Sequence, residues 1–388
     1  MRDFVVTKVV SGDRELLAAC LFDGLRLEEL LIEDPASASL VGGIFAGTLD
    51  AKSKGTGGAF IRLNKDTRCF VKAFDPKKSG GGNVAVQITK DAAGGKQAAA
   101  TQELCLPGRY VLVSDREPGL SVSAKLAPAE KRRLRETYGE ALRFPDCHVL
   151  LRTEAAAADA ETILTEAGEL RQKLLKIQKK AENVSAGTCL LRPEPFFLRF
   201  FEELSASPER LLTDLSLAEE PLRRLALKRG LVYTDKKPGT LAYAELYGLK
   251  TELVRLSGRC VHLKCGAELI IQPTEAFVSV DVNSAHQKGA GTPERNARRI
   301  NEEAVRELFR QMRLRRLSGM ILADLINMSE VRDRGEVLAL AKEIAAHERV
   351  KTEAVDITPL GILELVREKS GPTLYEVLKG KAGANPGE

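Results

Sequence analysis

The sequence predicts a multidomain chain that joins α/β to β architecture, and three observations predict it. At 388 residues the chain has the length for two to four domains, each with its own core. From Val41 to about Leu106 it is dense in glycine and short apolar runs, the pattern of a small antiparallel barrel. From Ala276 to Ile326 two short apolar runs flank a stretch of helical periodicity, the pattern of a strand–helix–strand unit with parallel strands.

In chain order, residues 1–38 read as strand, turn, strand, with Asp23-Gly24 as the hairpin turn between Leu16–Phe22 and Leu25–Glu33. Barrel strands are expected at Gly43–Leu49, Gly58–Leu63, Cys69–Ala73, Asn83–Thr89 and Ala98–Leu104. Turns such as Ser79-Gly-Gly-Gly-Asn83 separate them. Residues 107–195 alternate Tyr110–Ser114 (strand), Pro128–Tyr138 (helix) and His148–Arg152 (strand). A long helix follows over about 155–184, with Ile163, Leu164, Ala167, Leu170, Leu174, Leu175 and Ile177 on one face. Pro193 and Pro195 close that block. Residues 196–256 mix strands and helices, and Leu246-Tyr-Gly-Leu249 closes one element. The last block, 257–378, holds the strand–helix–strand unit. Lys379–Glu388 reads as a disordered tail of small and polar residues.

Charged residues make up 29% of the chain, yet the net charge is only +5, so any basic surface is local. The amino-terminal segment lacks the apolar stretch of a signal peptide, and no run is long enough to span a bilayer. Seven cysteines are scattered, and none forms a Cys-x-x-Cys pair. Neither a disulfide framework nor a structural zinc site is indicated, and a reducing, cytoplasmic setting is expected.

The chemistry concentrates on Asp281 and Asp324, each near the end of an apolar run. A charge in such a run is costly to bury unless it is paired or bound to a cation. Alternation puts Asp281 and Asn283 on one face, roughly 6–7 Å apart. If the two strands are neighbours, the carboxylates come within about 5 Å of each other. That spacing suits one Mg²⁺, with ligands at about 2.0–2.1 Å and several retained waters for a phosphate to replace. Thr292 is the expected N-cap of the intervening helix, with Pro293 at its first position. Its polar face carries Arg295, Arg298, Arg299, Arg306, Arg310 and Arg313, a match for a phosphodiester backbone. An arginine-rich helix laced with Glu302, Glu303 and Glu307 is also the mark of a merely solvated face.

On the barrel, Phe60 and Phe70 fall on neighbouring strands, with Arg62, Lys65, Arg68 and Lys72 close by. Exposed aromatics beside cations are how such folds bind single-stranded nucleic acid, although core packing would equally account for either phenylalanine. Gly94-Gly-Lys96 does not complete a phosphate-loop pattern and reads as a hairpin turn.

The chain resembles the bacterial ribonuclease E/G endoribonucleases. The resemblance runs through Thr274-Glu-Ala-Phe-Val-Ser-Val-Asp-Val-Asn-Ser284, Asn301-Glu-Glu-Ala304, Arg310-Gln-Met-Arg-Leu-Arg-Arg-Leu-Ser-Gly319 and Ala323-Asp-Leu-Ile-Asn-Met328. It continues in Phe22-Asp-Gly-Leu-Arg-Leu27, Gly58-Ala-Phe-Ile61, Leu151-Arg-Thr153 and Leu246-Tyr-Gly248. It implies a split RNase H-like domain (1–38 and 196–256) enclosing an OB-fold RNA-binding barrel (39–106) and a 5′-sensor region (107–195). A DNase I-like catalytic domain (257–378) would follow. It further implies that Asp281 and Asp324 hold Mg²⁺, with Mn²⁺ as the alternative cation, and that Asn283 orients the site. Phe60, Phe70 and Lys96 would contact RNA, and Arg152 and Thr153 would hold a 5′-phosphate.

The implied activity is hydrolysis of single-stranded RNA, leaving 5′-phosphate and 3′-hydroxyl ends, in RNA processing or decay. Two other readings are a non-catalytic RNA-binding protein of the same fold and a phosphodiesterase acting on DNA. The family's two-cysteine zinc-link motif has no counterpart in this sequence, so no structural zinc and a monomer or weak homodimer are expected. Asn327 stands where relatives carry a third acid, and strand alternation would point it away from Asp324. Glu154, beside the phosphate pocket, would weaken 5′-end sensing by repulsion. His286 reads as an exposed loop residue.

Overall fold

The computed structural model describes residues 1–53, 57–65, 67–78, 82–92, 96–236, 239–284 and 292–380. Two units emerge: Met1–Ala38 with Pro195–Glu388, and Ser39–Glu194.

In the second unit, five strands close into a barrel: Ile44–Lys52, Ala59–Arg62, Arg68–Val71, Ala98–Thr101 and Asn83–Lys90, the last pairing back onto the first. Alternation fills the interior with Ala59, Ile61, Cys69, Val71, Val84, Val86 and Ile88 and turns Phe60, Arg62, Arg68 and Phe70 outward. Gly47 is required inside, because a Cβ there would sit 2.5 Å from an Ile61 methyl. Cys189–Leu191, which the sequence does not mark as a strand, adds to the Ile44 edge across a long separation. A four-stranded sheet (Gly119–Val122, His148–Leu151, Val111–Ser114, Cys105–Pro107) completes the unit. The Ala160–Glu182 helix packs Ile163, Ala167, Leu174 and Ile177 into the sheet's core.

The first unit holds two sheets. In one, Arg2–Ser11, Arg14–Asp23 and Arg26–Glu33 form an antiparallel meander, with Gly24 at φ 61° in the expected turn. Arg210–Thr213 then joins the first strand in parallel, 207 residues on, with Asp3 opposite Arg210. Tyr247, between two short helices, reaches back to donate its hydroxyl to Asp3 at 2.6 Å.

The second sheet has the order Cys260–His262, Glu268–Pro273, Val278–Asn283, Gly319–Asp324, Ile362–Arg367, Thr352–Ile357. Val278–Asn283 and Gly319–Asp324 are parallel neighbours, as the crossover argument requires; the other pairings are antiparallel. The connecting helix runs Pro293–Arg315, with the Thr292 hydroxyl accepting from the Arg295 N–H. It and the Val331–His347 helix cover one face of the sheet, burying Ile300, Val305, Leu308, Phe309, Val337 and Ala341 against Leu269, Ile271, Val280, Ile321 and Leu363. The opposite face is open.

Two expectations change here. Position 327 does not continue the strand, which stops at Asp324, so alternation does not govern Asn327; it is exposed in the following coil. Lys379 belongs to a helix, Leu374–Lys379, started by a Thr373–Glu376 capping box and ended by Gly380 at φ 70°. The rest of the expected tail, 381–388, lies outside the described residues, as does His286. Among the described residues, no helix is long and apolar enough to cross a membrane.

Candidate active site

The open face of the six-stranded sheet follows from alternation. Val278, Val280 and Val282 turn into the core, so Ser279, Asp281 and Asn283 turn out; Asp324 turns out beside them as Ile321 and Ala323 turn in. Asp281 and Asp324 are in register on the two parallel strands, which sets their Cα atoms about 4.8 Å apart. Asn283 Nδ2 donates to Asp281 Oδ2 at 2.9 Å, holding one carboxylate oxygen and leaving the other available. Glu268 lies opposite Asn283. Glu364 lies opposite Leu322, and Asp356 opposite Glu364, on the same face. This surface is acidic. Alone it would repel a polyanion; a divalent cation between the facing carboxylates would cancel their two charges and offer a phosphate an electrophilic point of attachment. Two carboxylates with open approach are what Mg²⁺ takes from protein, since it keeps most of its water.

Residues to which the sequence reading gave no role brace this arrangement. Asn301, fully buried in the connecting helix, accepts from the Ile326 N–H at 2.9 Å and donates to the Ile326 carbonyl at 2.8 Å. Glu294, in the first turn of that helix, accepts from the N–H groups of Glu330 (2.9 Å) and Ser329 (3.2 Å) and from the Ser329 hydroxyl (2.6 Å). Those backbone and hydroxyl donors hold its carboxyl below the usual glutamate range. Together they pin the chain just after Asp324. A polar residue among the apolar positions of an amphipathic helix was the available signal for Asn301.

The arginine helix departs from expectation. It covers the sheet face opposite the carboxylates, and several of its guanidinium groups serve the fold. Arg298 pairs with Glu302, Asp333 and Glu336. Arg310 donates to the Leu27 carbonyl at 2.8 Å and pairs with Glu307. Arg313 pairs with the buried Glu348, which also meets Arg367. Arg295, Arg299 and Arg306 are exposed.

On the barrel, Phe60 and Phe70 sit directly opposite each other, ring centroids 5.1 Å apart and tilted by 50°. They are half-buried and stand outside the barrel core. Gly58 makes room for them: a Cβ there would lie 2.6 Å from the Phe70 ring. Arg62 and Arg68 flank the pair, both tied to Asp50. Lys72 and Lys96 are exposed. Arg152 and Thr153 lie exposed at the end of the His148–Leu151 strand. The Arg152 guanidinium donates to the Gly108 carbonyl, and Thr153 Oγ1 lies 3.4 Å from Ser123 Oγ. Glu154 is engaged by Arg109 at 2.7 Å, so its charge is compensated beside Arg152 and Thr153, and the expected repulsion of an anion there is reduced.

A sequence model of the ribonuclease E/G family matches residues 105–370. The chain is 24% identical over 400 residues to ribonuclease E of Nostoc sp., covering 95% of this chain and 57% of that protein. It is 26% identical over 396 residues to ribonuclease G of Salmonella typhimurium (92% and 78%). Against ribonuclease E of Escherichia coli it is 26% identical over 389 residues (94% and 37%). The chain thus spans little more than half of the Nostoc relative, and about a third of the Escherichia coli one. With the family match covering most of the residues that build both the sheet and its paired aspartates, the chain belongs to the ribonuclease E/G family.

Proposed function

We propose that this protein is a Mg²⁺-dependent endoribonuclease that cuts single-stranded RNA to leave 5′-phosphate and 3′-hydroxyl ends, in RNA processing or decay in the cytoplasm. The observation that carries the reading is the in-register pair Asp281 and Asp324 on an open acidic face, with Asn283 bonded to Asp281. A binding protein without turnover has no use for facing carboxylates that repel its ligand. The relatives' names, ribonuclease E and ribonuclease G, support the ribonuclease part of the reading.

In this reading Asp281 and Asp324 hold the ion, whose chemistry would be to polarise the scissile phosphate and make a bound water acidic enough to attack. Asn283 fixes the rotamer of Asp281 so that one oxygen stays aimed outward. Glu294 and Asn301 limit the movement of the segment after Asp324. Phe60 and Phe70 offer a stacking platform for unpaired bases, with Lys96 as a phosphate contact. Arg152 and Thr153 offer a guanidinium and a hydroxyl to a 5′-phosphate. The domain correspondence extends the proposal: 1–38 with 196–256 as the split RNase H-like part, 39–106 as the OB-fold barrel, 107–195 as the 5′-sensor and 257–378 as the DNase I-like part. Seven free cysteines fit a reducing compartment.

End-group analysis tests the reading. An unstructured RNA is incubated with Mg²⁺ and the products are probed for 5′-phosphate and 3′-hydroxyl, with matched 5′-monophosphate and 5′-triphosphate substrates. Internal cuts with those ends, absent in chelator and in Asp281→Asn, support it. Cuts that persist in chelator, or 2′,3′-cyclic phosphate ends, contradict it.

A further inference from the structure

Cys260–His262 and Glu268–Pro273 form a hairpin at the outer edge of the six-stranded sheet. Cys260 and His262 are two residues apart on one strand and so share a face. Glu268 lies opposite His262 on the other strand and faces the same way. A sulfur, an imidazole nitrogen and a carboxylate oxygen from these three all lie within 4.8 Å of one another, with His262 Nδ1 3.0 Å from Glu268 Oε1. We propose that Cys260, His262 and Glu268 form a binding site for a divalent transition metal of the zinc class, with a fourth position open to solvent.

The ligand set selects the metal. Thiolate and imidazole are poor ligands for Mg²⁺ or Ca²⁺ and good ones for Zn²⁺. Tetrahedral zinc bonds of about 2.0–2.3 Å put ligand atoms roughly 3.3–3.8 Å apart, so small rotations of exposed side chains close the observed cluster. The backbone ordering is already done by the hairpin. Burial and a hydrogen bond to Glu268 push the Cys260 thiol up; a cation in the cluster supplies the charge that favours the thiolate. Spacing rules built on Cys-x-x-Cys miss this set, because its third ligand arrives only when the hairpin pairs.

The site is separate from the paired aspartates. Cys260, Ile270 and Asp281 stand in one row across three neighbouring strands, two strand spacings or about 10 Å between the first and last. The two sites share a face but no ligand. The inference goes beyond the proposed nuclease reading and does not depend on it.

Co²⁺ and Zn²⁺ titrations of the full chain, without RNA, test it. The wild type should take up one equivalent of Co²⁺ with a near-ultraviolet thiolate charge-transfer band and the visible bands of a four-coordinate ion, and Zn²⁺ should displace it. Cys260→Ser should abolish the charge-transfer band, and His262→Ala and Glu268→Gln should each weaken binding by at least about tenfold. Cys189→Ser, at an exposed cysteine of the other unit, and Asp281→Asn should leave the band unchanged. A wild type without the band, or a band that survives Cys260→Ser, overturns the proposal. Co²⁺ uptake that shows no thiolate band and is lost in Asp281→Asn would place the metal at the aspartates and overturn it equally. The three cluster positions and the two control positions are surface ones, and circular dichroism checks that each variant is folded.

Discussion

Asp281 and Asp324 face each other across two strands and are both exposed, which separates their chemistry from the stability of the fold. Asp281→Asn should cut RNA cleavage by at least about 100-fold while moving unfolding stability by no more than about 0.5 kcal/mol, and upward if anything, since one of two like charges is removed. Thermal denaturation alongside the cleavage assay checks both halves. On the barrel, Phe60→Ala and Phe70→Ala should each weaken single-stranded RNA binding by about 1–3 kcal/mol, read by fluorescence anisotropy at fixed salt. The barrel should survive, because neither ring belongs to its core. At this scale the sequence was informative wherever alternation decides direction, as for Asp281 and Asn283. It was uninformative about which cations were already engaged. Six arginines on the polar face of one helix look alike in sequence, yet Arg298, Arg310 and Arg313 are held by carboxylates and a carbonyl contributed from distant segments.

The element that matters most is the Pro293–Arg315 helix. Its start was legible from Thr292-Pro293 and its buried stripe from helical spacing, and both are seen. Its use as a brace was not legible, because the partners of Asn301 and Glu294 are backbone groups of residues 326, 329 and 330 and one hydroxyl, Ser329, all far along the chain. Asn301→Ala would strand a part-buried N–H and a part-buried carbonyl at Ile326, costing about 1–2 kcal/mol. It should also lower the cleavage rate more than Mg²⁺-independent RNA binding, since the slack appears next to Asp324; comparing the rate with anisotropy-measured affinity checks this. At the far end of the helix, Arg313 and Arg367 share Glu348, whose side chain is only 3% exposed. Glu348→Ala leaves the buried Arg367 without its counter-charge and Arg313 with only the more distant Glu28, at 3.8 Å, and should destabilise the protein by about 3 kcal/mol, measurable by denaturant unfolding.

For the whole molecule, the interruption of the first unit between residues 38 and 195 was implied by the family resemblance and by no periodicity or spacing in the residues themselves. The barrel's glycine-rich strands could be read in place, but the parallel pairing of Arg2–Ser11 with Arg210–Thr213 depends on a closure spanning 207 residues that no local pattern encodes. Its lock is Asp3, which receives two 2.7 Å hydrogen bonds from Arg210 and one from Tyr247. Burial pushes Asp3 upward, but these donors outweigh it and hold the carboxyl below its ordinary value. A carboxyl depressed by folding stabilises the native state above its unfolded value, about 3.9, and loses that contribution as pH falls through the folded value. Acidification below about pH 4 should therefore destabilise the wild type more than Asp3→Asn, which is itself less stable at pH 7 by about 2 kcal/mol; urea unfolding at the two pH values checks it. The proposed chemistry rests on a cation held by paired aspartates. It is tested most directly by the rate of single-stranded RNA cleavage against Mg²⁺ concentration for the wild type, Asp281→Asn and Asp324→Asn. A saturable Mg²⁺ dependence in the wild type that collapses in both variants is the predicted result; equal rates and equal Mg²⁺ midpoints in all three proteins would contradict it.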